Sequence, residues 1–315
     1  MSDERILISC VQLQRNLAKH RRPFDERRAE LIVPVVVQQL NEEELLDLVP
    51  GVHGIVAGDD HLTRAVLERA EQLRIVSKWG VGTDSIDRHA AEELGIRVTN
   101  TPGMFGDEVA DVVIGYLVML ARHLHEVDRD VRLPGWPKPI GVSLAGRTLG
   151  IIGLGDIGRA LARRAAAMGM RVIGSEIDHA NARRASELGV EMTDLDSVFT
   201  QSDVVSLNCP LTPDNRHLVD GARLATMKRG AWIINTARGG LIDEPALVSA
   251  IEGGQVGAAA LDVFEVEPIP DENPLRNLAR VILGSHNSSN TVEAEHRTSE
   301  LAIDNLILGL DEVRR

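Results

Sequence analysis

The stretch TLGIIGLGDIGRALARRAAAMGMRVIGSE, residues 148–176, decides the fold. A short apolar run leads into a glycine-rich turn, and apolar residues then recur as they do on one face of a helix. In G-x-G-x-x-G, the first glycine permits the tight turn, the second lets a pyrophosphate approach the backbone, and the third lets helix and strand pack closely. Amides at the helix N-terminus face the phosphates. We therefore predict a dinucleotide site that includes Gly153, Gly155, Asp156, Ile157 and Gly158.

The second strand of this stretch ends beside an acidic residue, Glu176. It lies at the distance from the glycines where a carboxylate accepts hydrogen bonds from the ribose hydroxyls. Such a carboxylate repels a 2′-phosphate, so the sequence favours NAD over NADP. Asp178 follows closely and is an alternative for the same role.

Composition narrows the class of protein. The chain has 315 residues, enough for two domains, and with 43% hydrophobic but 3% aromatic residues its cores must be aliphatic. This composition suits parallel strands covered by helices. A net charge of −13 argues against nucleic acid or an anionic membrane as partner. Because Cys10 and Cys209 are isolated and no long apolar segment occurs, we expect a cytoplasmic protein without metal ligands or a disulfide framework.

Two series of strand and helix patterns follow one another along the chain. Predicted strands of the first series are Arg5–Cys10, Leu31–Val37, His53–Ala57, Arg74–Lys78 and Ile96–Thr99. A single long helix, about 107–129, precedes the second series, and an amphipathic helix, about 292–310, closes the chain. We predict an α/β fold, with a Rossmann-type doubly wound parallel sheet and a second, smaller flavodoxin-like α/β domain. Residues 1–100 and 288–315 are assigned to a substrate domain, and 101–287 to an NAD-binding domain.

Three charged residues follow later strands of the second series. INTARGGLID (234–243) places Arg238 after one strand, ALDVFEVEP (260–268) places Glu265 and Glu267 after the next, and GSHNSSN (284–290) places His286 after the last. Ligands of open α/β sheets bind at the carboxyl ends of the strands, so these groups can converge. An arginine, an acid and a histidine suffice to bind a 2-oxo or 2-hydroxy acid and to move its proton.

At these motifs the chain resembles the D-isomer-specific 2-hydroxyacid dehydrogenases, and within them the phosphoglycerate-dehydrogenase-like branch. The likeness also includes KWGVGTDSID (78–87), VTNTPGMFGDEVAD (98–111), CPLTPDNRHLV (209–219) and MKRGAWIINTARGGLIDEPAL (227–247). It implies an NAD-dependent oxidoreductase acting on a CH–OH group. It further implies that Arg238 grips the substrate carboxylate, that His286 is the acid/base, and that Glu267 rather than Glu265 orients His286.

The same resemblance implies further contacts. Asp262 is expected to contact the nicotinamide carboxamide. The backbone amides of Val81 and Gly82 are expected to bind the substrate carboxylate. Lys78 would add positive field there, although a lysine at a strand end is often a surface residue. The remaining cofactor contacts implied are Cys209, Pro210, Thr212, Thr236 and Ala237. A homodimer is expected, with the loop around Trp136 packed against the partner subunit.

Two departures from the family pattern affect the expected substrate and mechanism. Ser285 stands where relatives often carry proline before the histidine, which changes the constraints on this turn. Asp59 and Asp60 stand where phosphate-binding relatives often carry an arginine. If they face the substrate they oppose a phosphate and favour glyoxylate or hydroxypyruvate, whereas the resemblance favours phosphoglycerate.

Other functions of the same fold remain alternatives. One is an NAD-sensing scaffold, which also keeps the three residues, and another is a dehydrogenase of formate or phosphite. The chain ends at the predicted closing helix, so we expect no additional regulatory domain of the serine-sensing type.

Overall fold

The computed structural model describes residues 4–312 and divides them into two compact units. The first unit consists of the described residues up to Met104 together with those from Asn290 onward, and the second is Phe105–Ser289. Each unit is built on one parallel sheet. Within residues 4–312, no helix is both long and apolar enough to cross a membrane.

The sheet of the first unit has five parallel strands in the order β2-β1-β3-β4-β5. This is the flavodoxin-like order that the sequence predicts. Its strands are β1 (Arg5–Ile8), β2 (Glu30–Ile32), β3 (Gly54–Ala57), β4 (Ile75–Lys78) and β5 (Arg97–Thr99). Its helices are α1 (Val11–His20), α2 (Arg22–Arg27), α3 (Glu42–Leu48), α4 (Arg64–Arg69), α5 (Arg88–Glu93) and the closing helix α13 (Val292–Glu312).

The sheet of the second unit has seven parallel strands in the order β12-β11-β10-β9-β6-β7-β8. Its strands are β6 (Thr148–Ile152), β7 (Arg171–Ser175), β8 (Glu191–Met192), β9 (Val204–Leu207), β10 (Ala231–Asn235), β11 (Val256–Leu261) and β12 (Val281–Leu283). Its helices are α6 (Gly106–Arg122), α7 (Leu124–Arg132), α8 (Asp156–Ala167), α9 (His179–Glu187), α10 (Leu195–Gln201), α11 (Gly221–Thr226) and α12 (Glu244–Glu252). The chain reverses direction across the sheet between β6 and β9, and ligands of doubly wound folds bind at such a switch point. The predicted fold class is confirmed.

Aliphatic side chains fill the cores, as the composition requires. All five residues of β6 and all four of β9 are buried, because helices cover both faces of the sheet. On one face, Val113 and Leu117 of α6 pack with Leu161 of α8 in a single cluster. The glycine-rich turn is therefore held between a buried strand and a buried helix face.

Two predicted elements differ from the structure. The single helix about 107–129 is broken at His123, which adopts a left-handed conformation with φ 55° and ends α6. The apolar periodicity stops there, since no residue of the following helix, α7, is buried. The strand predicted over Leu31–Val37 ends at Ile32, because Pro34 lacks an amide for the ladder, and Val35 is 95% exposed.

Candidate active site

The glycine-rich turn, which joins β6 to α8, has the geometry that phosphate binding requires. Gly153 has φ +88°, and a Cβ there would lie 2.7 Å from Cys209 N, so the turn passes close to the end of β9. A Cβ on Gly158 would overlap the Gly153 carbonyl oxygen, which explains the close packing of helix on strand. A Cβ on Gly155 would meet nothing within 4 Å. Space therefore remains open beside the N-terminus of α8, where amides favour an anion.

The acidic residue after β7 is bonded directly to this turn. Glu176 Oε2 accepts a hydrogen bond from Leu154 N at 2.6 Å, and its Oε1 accepts one from Asp178 N at 2.9 Å. Asp178 instead caps α9, where its Oδ1 accepts from Asn181 N at 2.8 Å. Of the two acids considered for the ribose, Glu176 is the one that lies against the glycine-rich turn.

A cationic side chain braces the same turn. Arg159 donates to Leu154 O and to Asn181 Oδ1, each at 2.8 Å, and pairs with Asp156 at 2.6 Å. The pair neutralises the carboxylate of Asp156 in the first turn of α8. Ile157 follows it on the same turn.

Two buried oxygen atoms at this edge of the sheet lack hydrogen-bond partners within the described part of the chain. They are Asn208 Oδ1, just after β9, and Thr236 Oγ1, just after β10. A buried acceptor or hydroxyl without a partner is costly, so such atoms mark a place for a polar ligand. With the open space at Gly155, these atoms fit a dinucleotide lying across the carboxyl ends of the strands.

The other residues predicted to contact the cofactor lie on the loops after β9 and β10. Cys209 is half-buried, and burial raises the pKa of its thiol to about 11. Pro210 and Thr212 are exposed, and Thr212 N donates to Asn215 Oδ1 at 2.7 Å. Ala237 N donates to Asn235 Oδ1 at 3.0 Å, which fixes the turn that carries Thr236.

Arg238 is positioned by its neighbours on the loop after β10. The buried Asn235 side chain donates to Arg238 O at 2.8 Å, and Arg238 Nη1 donates to Ala237 O at 2.8 Å. A Cβ on the next residue, Gly239, would overlap the backbone at Phe264. The glycine thus lets the arginine loop lie directly against the loop that follows β11.

A histidine and a carboxylate meet at the ends of β11 and β12. His286 Nδ1 and Glu267 Oε2 are 2.7 Å apart, and Glu267 Oε1 accepts from Phe264 N at 2.9 Å. Both side chains are largely buried, with 22% and 14% of their surfaces exposed. Because β10, β11 and β12 are parallel neighbours, Arg238, Glu267 and His286 lie at one edge of the sheet.

A second histidine–carboxylate pair involves Glu265, which lies on the same loop as Glu267. Glu265 Oε1 is within hydrogen-bonding distance of His217 Nε2 and accepts from Arg216 Nη2 at 3.1 Å. The backbone N–H of Glu265 donates to Glu244 Oε1 at 2.7 Å. Glu265 is thus directed toward His217, and Glu267 toward His286.

Asp262, predicted at the nicotinamide, is 2% exposed and bonds to the turn that carries His286. Its carboxylate accepts from the backbone amides of Asn287 at 3.2 Å and Ser288 at 2.9 Å, and from the Ser288 hydroxyl. The Asp262 carbonyl accepts from His286 N at 2.7 Å. The residue is therefore tied to the histidine turn through both its backbone and its side chain.

In the first unit, Lys78 ends β4 as a buried residue rather than a surface one. Its Nζ lies 3.0 Å from Asp59 Oδ1 and donates to Trp79 O at 3.0 Å. Val81, on the loop that follows, is 47% exposed and Gly82 is half-buried. No described residue accepts a hydrogen bond from either amide, so both amides can donate to an anion.

Asp60 has a different environment from its neighbour Asp59. It is 1% exposed and accepts hydrogen bonds from Ser9 Oγ at 2.5 Å, Leu40 N at 2.8 Å and Gly58 N at 2.9 Å. Burial raises its pKa, although these donors act in the opposite direction. Asp60 thus ties the ends of β1 and β3 to the Leu40 segment and does not present its carboxylate at the surface of the unit.

The second unit matches a known family. The model of the D-isomer specific 2-hydroxyacid dehydrogenase NAD binding domain matches residues 114–288. A hydroxypyruvate reductase of Thermotoga maritima is 38% identical over 285 residues, which are 87% of this chain and 92% of that protein. This chain belongs to the D-isomer-specific 2-hydroxyacid dehydrogenase family. It is an NAD-dependent oxidoreductase that acts on CH–OH groups, as the sequence predicts.

Other relatives are named for different substrates. A D-3-phosphoglycerate dehydrogenase of Methanocaldococcus jannaschii is 38% identical over 275 residues, which are 86% of this chain and 52% of that protein. The solved structure of a D-lactate dehydrogenase from Aquifex aeolicus, complexed with NAD and lactic acid, has a TM-score of 0.87 at 25% identity and covers 98% of this chain and 96% of that one. The cofactor of this dehydrogenase is NAD, and the predicted residues around the glycine-rich turn are suited to it.

Sequence reasoning missed several residues around the edge of the second sheet. Asn208 contributes a buried oxygen without a hydrogen-bond partner, and Ser288 contributes a buried hydroxyl. Tyr116 contributes its phenol, and Gly284 allows the close approach of Asp262 and Tyr116. Asn208 directly follows a buried strand, a position that identifies it in retrospect. The other three depend on tertiary contacts with Asp262, at the end of β11, which no local pattern specifies.

Proposed function

We propose that this dehydrogenase reduces a small, unphosphorylated 2-oxo acid of the glyoxylate or hydroxypyruvate type to the corresponding 2-hydroxy acid, with the D configuration where the product is chiral. The observation that carries the chemistry is the 2.7 Å contact between His286 Nδ1 and Glu267 Oε2, on the same sheet edge as Arg238. NADH supplies the hydride when it is bound. The protein supplies the carboxylate anchor and the proton.

In this proposal each of the three side chains has one task. The Arg238 guanidinium binds the substrate carboxylate and polarises the carbonyl, because its planar, permanently charged fork matches a carboxylate. Glu267 holds the imidazole through Nδ1, so that Nε2 faces the reacting oxygen. In reduction His286 donates its proton to that oxygen, and in oxidation it receives the proton back.

The unphosphorylated substrate is inferred from the charges in the first unit. Lys78 is the cation at the end of β4, and its ammonium group is already neutralised by Asp59 at 3.0 Å. A substrate phosphate near this strand end would meet a compensated charge, and it would be repelled by the Asp59 carboxylate. The open amides of Val81 and Gly82 suit a single carboxylate instead.

The direct test is an NADH-oxidation screen over glyoxylate, hydroxypyruvate and phosphohydroxypyruvate. Hydroxypyruvate and its phosphorylated form are a matched pair, and we expect kcat/KM to favour the unphosphorylated one by at least about tenfold. Asp59→Asn releases the Lys78 charge and should shift this ratio toward the phosphorylated acid. A preference for phosphohydroxypyruvate in the unaltered enzyme would contradict the proposed substrate class.

The proton-transfer role is tested by replacing His286 with alanine. Turnover should fall by about 10²-fold or more, the usual contribution of a positioned acid/base. His217→Ala is the matched control, because it removes the other histidine that contacts a carboxylate of the same loop. Equal losses in the two variants would contradict the assignment. Tight NADH binding without turnover on any substrate would favour the NAD-sensing scaffold.

We also propose that the chain forms a homodimer through α7 and the loop after it. No residue of α7 is buried, and Leu133 (62% exposed), Trp136 (77%) and Ile140 (95%) leave a large apolar surface. Light scattering after size-exclusion chromatography should give a dimer, and Trp136→Glu with Leu133→Asp should give a monomer. Val35→Glu, an exposed valine of the other unit, is the control that should leave the dimer intact.

A further inference from the structure

The turn that carries His286 has an unfavourable backbone conformation. His286 has φ 52°, in the left-handed region that residues other than glycine rarely adopt. Such a conformation persists only where surrounding contacts impose it. The residue before it, Ser285, is exposed and lacks the fixed φ that proline would provide. The constraint on His286 therefore has to come from elsewhere.

That constraint comes from one buried residue, Asp262, through its backbone carbonyl and its carboxylate. Asp262 O accepts from His286 N at 2.7 Å, Asp262 Oδ1 accepts from Asn287 N at 3.2 Å, and Asp262 Oδ2 accepts from Ser288 N at 2.9 Å. The Ser288 hydroxyl donates to the same Oδ2. Three successive residues of the turn thus bond to a single aspartate.

The carboxylate is itself held in place from its other side. Tyr116 OH lies 3.5 Å from Asp262 Oδ1, and a Cβ on Gly284 would overlap both that oxygen and the tyrosine hydroxyl. Glycine at position 284 therefore leaves space for the Asp262 carboxylate and the Tyr116 hydroxyl. Asp262 is 2% exposed and Ser288 6% exposed, so neither can exchange these bonds for water.

We propose that Ser288 is a positioning residue for His286 and acts through Asp262. The inference rests on the proposed function, in which His286 is the acid/base. The Ser288 hydroxyl is one of two donors to Oδ2, and its bond sets the rotation of the carboxylate. That rotation fixes the amides of Asn287 and Ser288 and, with them, the direction of the imidazole. Ser288 does not touch the reacting atoms.

The test compares kcat with cofactor affinity. Ser288→Ala should lower kcat about tenfold, because a small displacement of a reacting group is costly in rate. The Kd of NADH, measured by fluorescence titration, should stay within about twofold, since Gly153–Gly158 is untouched. Ser288→Thr keeps the hydroxyl and should recover most of kcat. Ser285→Ala, the same substitution at an exposed position of the turn, should have no effect.

A double-variant cycle separates this inference from the proposed function. Ser288→Ala should have no further effect on turnover in the His286→Ala background, because the serine acts only through the histidine. Full activity of His286→Ala would refute the proposed function itself. An inactive His286→Ala together with an unchanged Ser288→Ala would overturn the inference alone.

Two further outcomes decide the role of the contact. If Ser288→Ala raised the Kd of NADH and left kcat unchanged, the Ser288 contact would serve the cofactor rather than His286, and the inference would be wrong. If Ser288→Ala did not fold, as judged by its thermal transition, Ser288→Cys would replace it, because the thiol is a weaker donor of similar shape. An unchanged kcat in the cysteine variant would then overturn the proposal.

Discussion

Gly155 and Gly158 belong to one motif, but the structure predicts opposite consequences for replacing them with alanine. A methyl group on Gly158 would overlap the Gly153 carbonyl oxygen, and backbone cannot rotate away as a side chain can. Gly155→Ala would place its methyl in open space, at a residue with φ −62° that alanine also adopts. The first substitution therefore affects folding, whereas the second affects only what occupies the open space.

The expected magnitudes follow from these contacts. Overpacking costs about 1–3 kcal/mol, and a clash between backbone atoms belongs at the upper end. Gly158→Ala should lower the free energy of unfolding by about 3 kcal/mol and Tm by about 6–12 °C. Gly155→Ala should leave stability within about 0.5 kcal/mol. It would displace the pyrophosphate and weaken at least one charged hydrogen bond, worth about 1.5–3 kcal/mol, so the Kd of NADH should rise about 10- to 150-fold.

Thermal unfolding without cofactor and fluorescence titration with NADH measure the two quantities separately. Each variant is the control for the other, since both add one methyl group to the same turn. The reasoning would be refuted by a Gly155→Ala protein that binds NADH with unchanged affinity. It would also be refuted if Gly155→Ala lost as much stability as Gly158→Ala.

Three further predictions concern titratable groups and a buried carboxylate. Tyr116 is the single tyrosine of the chain, and burial together with the Asp262 charge raises its pKa. Ultraviolet titration should therefore show that Tyr116 ionises well above about pH 10. Asp262→Asn should lower the pKa of Tyr116. Because the pKa of Tyr116 is higher in the folded than in the unfolded protein, the stability contributed by the neutral phenol is fully present below pH ~10. It is lost as the pH rises through the folded-state pKa. Burial raises the thiol pKa of Cys10 to about 12 and of Cys209 to about 11, so neither should react with a disulfide reagent near pH 8 until the protein is denatured. Asp60→Ala leaves three donors without their acceptor and should cost about 2–4 kcal/mol in urea unfolding.

The sequence predicts the second sheet well because its strands are buried on both faces. Such strands are continuous apolar runs, and the glycine-rich turn marks the first of them without ambiguity. Once the strands are placed, parallel pairing brings Arg238, Glu267 and His286 to one edge, since each follows a neighbouring strand. Their positions on the edge could therefore be predicted from order alone.

Other features could not be predicted, for identifiable physical reasons. The end of α6 at His123 depends on a left-handed residue that is neither glycine nor asparagine, so no capping signal marks it. The two acids at 59 and 60 are adjacent in sequence but differ in environment, because a one-residue step at a strand end turns one side chain inward and leaves the other beside Lys78. Their effect on a substrate could be inferred only after their partners were known.

The two histidine–carboxylate pairs near the end of β11 show why geometry is needed to assign a function. Glu265 and Glu267 are two residues apart, and each contacts a histidine within hydrogen-bonding distance. A pair alone therefore does not identify an acid/base. His286 follows β12, the strand next to β11, whereas His217 lies on the loop between β9 and α11 and contacts Glu265 together with Arg216. Glu267 and His286 follow the adjacent strands β11 and β12, and Arg238 follows β10 on the other side of β11. For this reason we propose the pair of Glu267 and His286 for the chemistry.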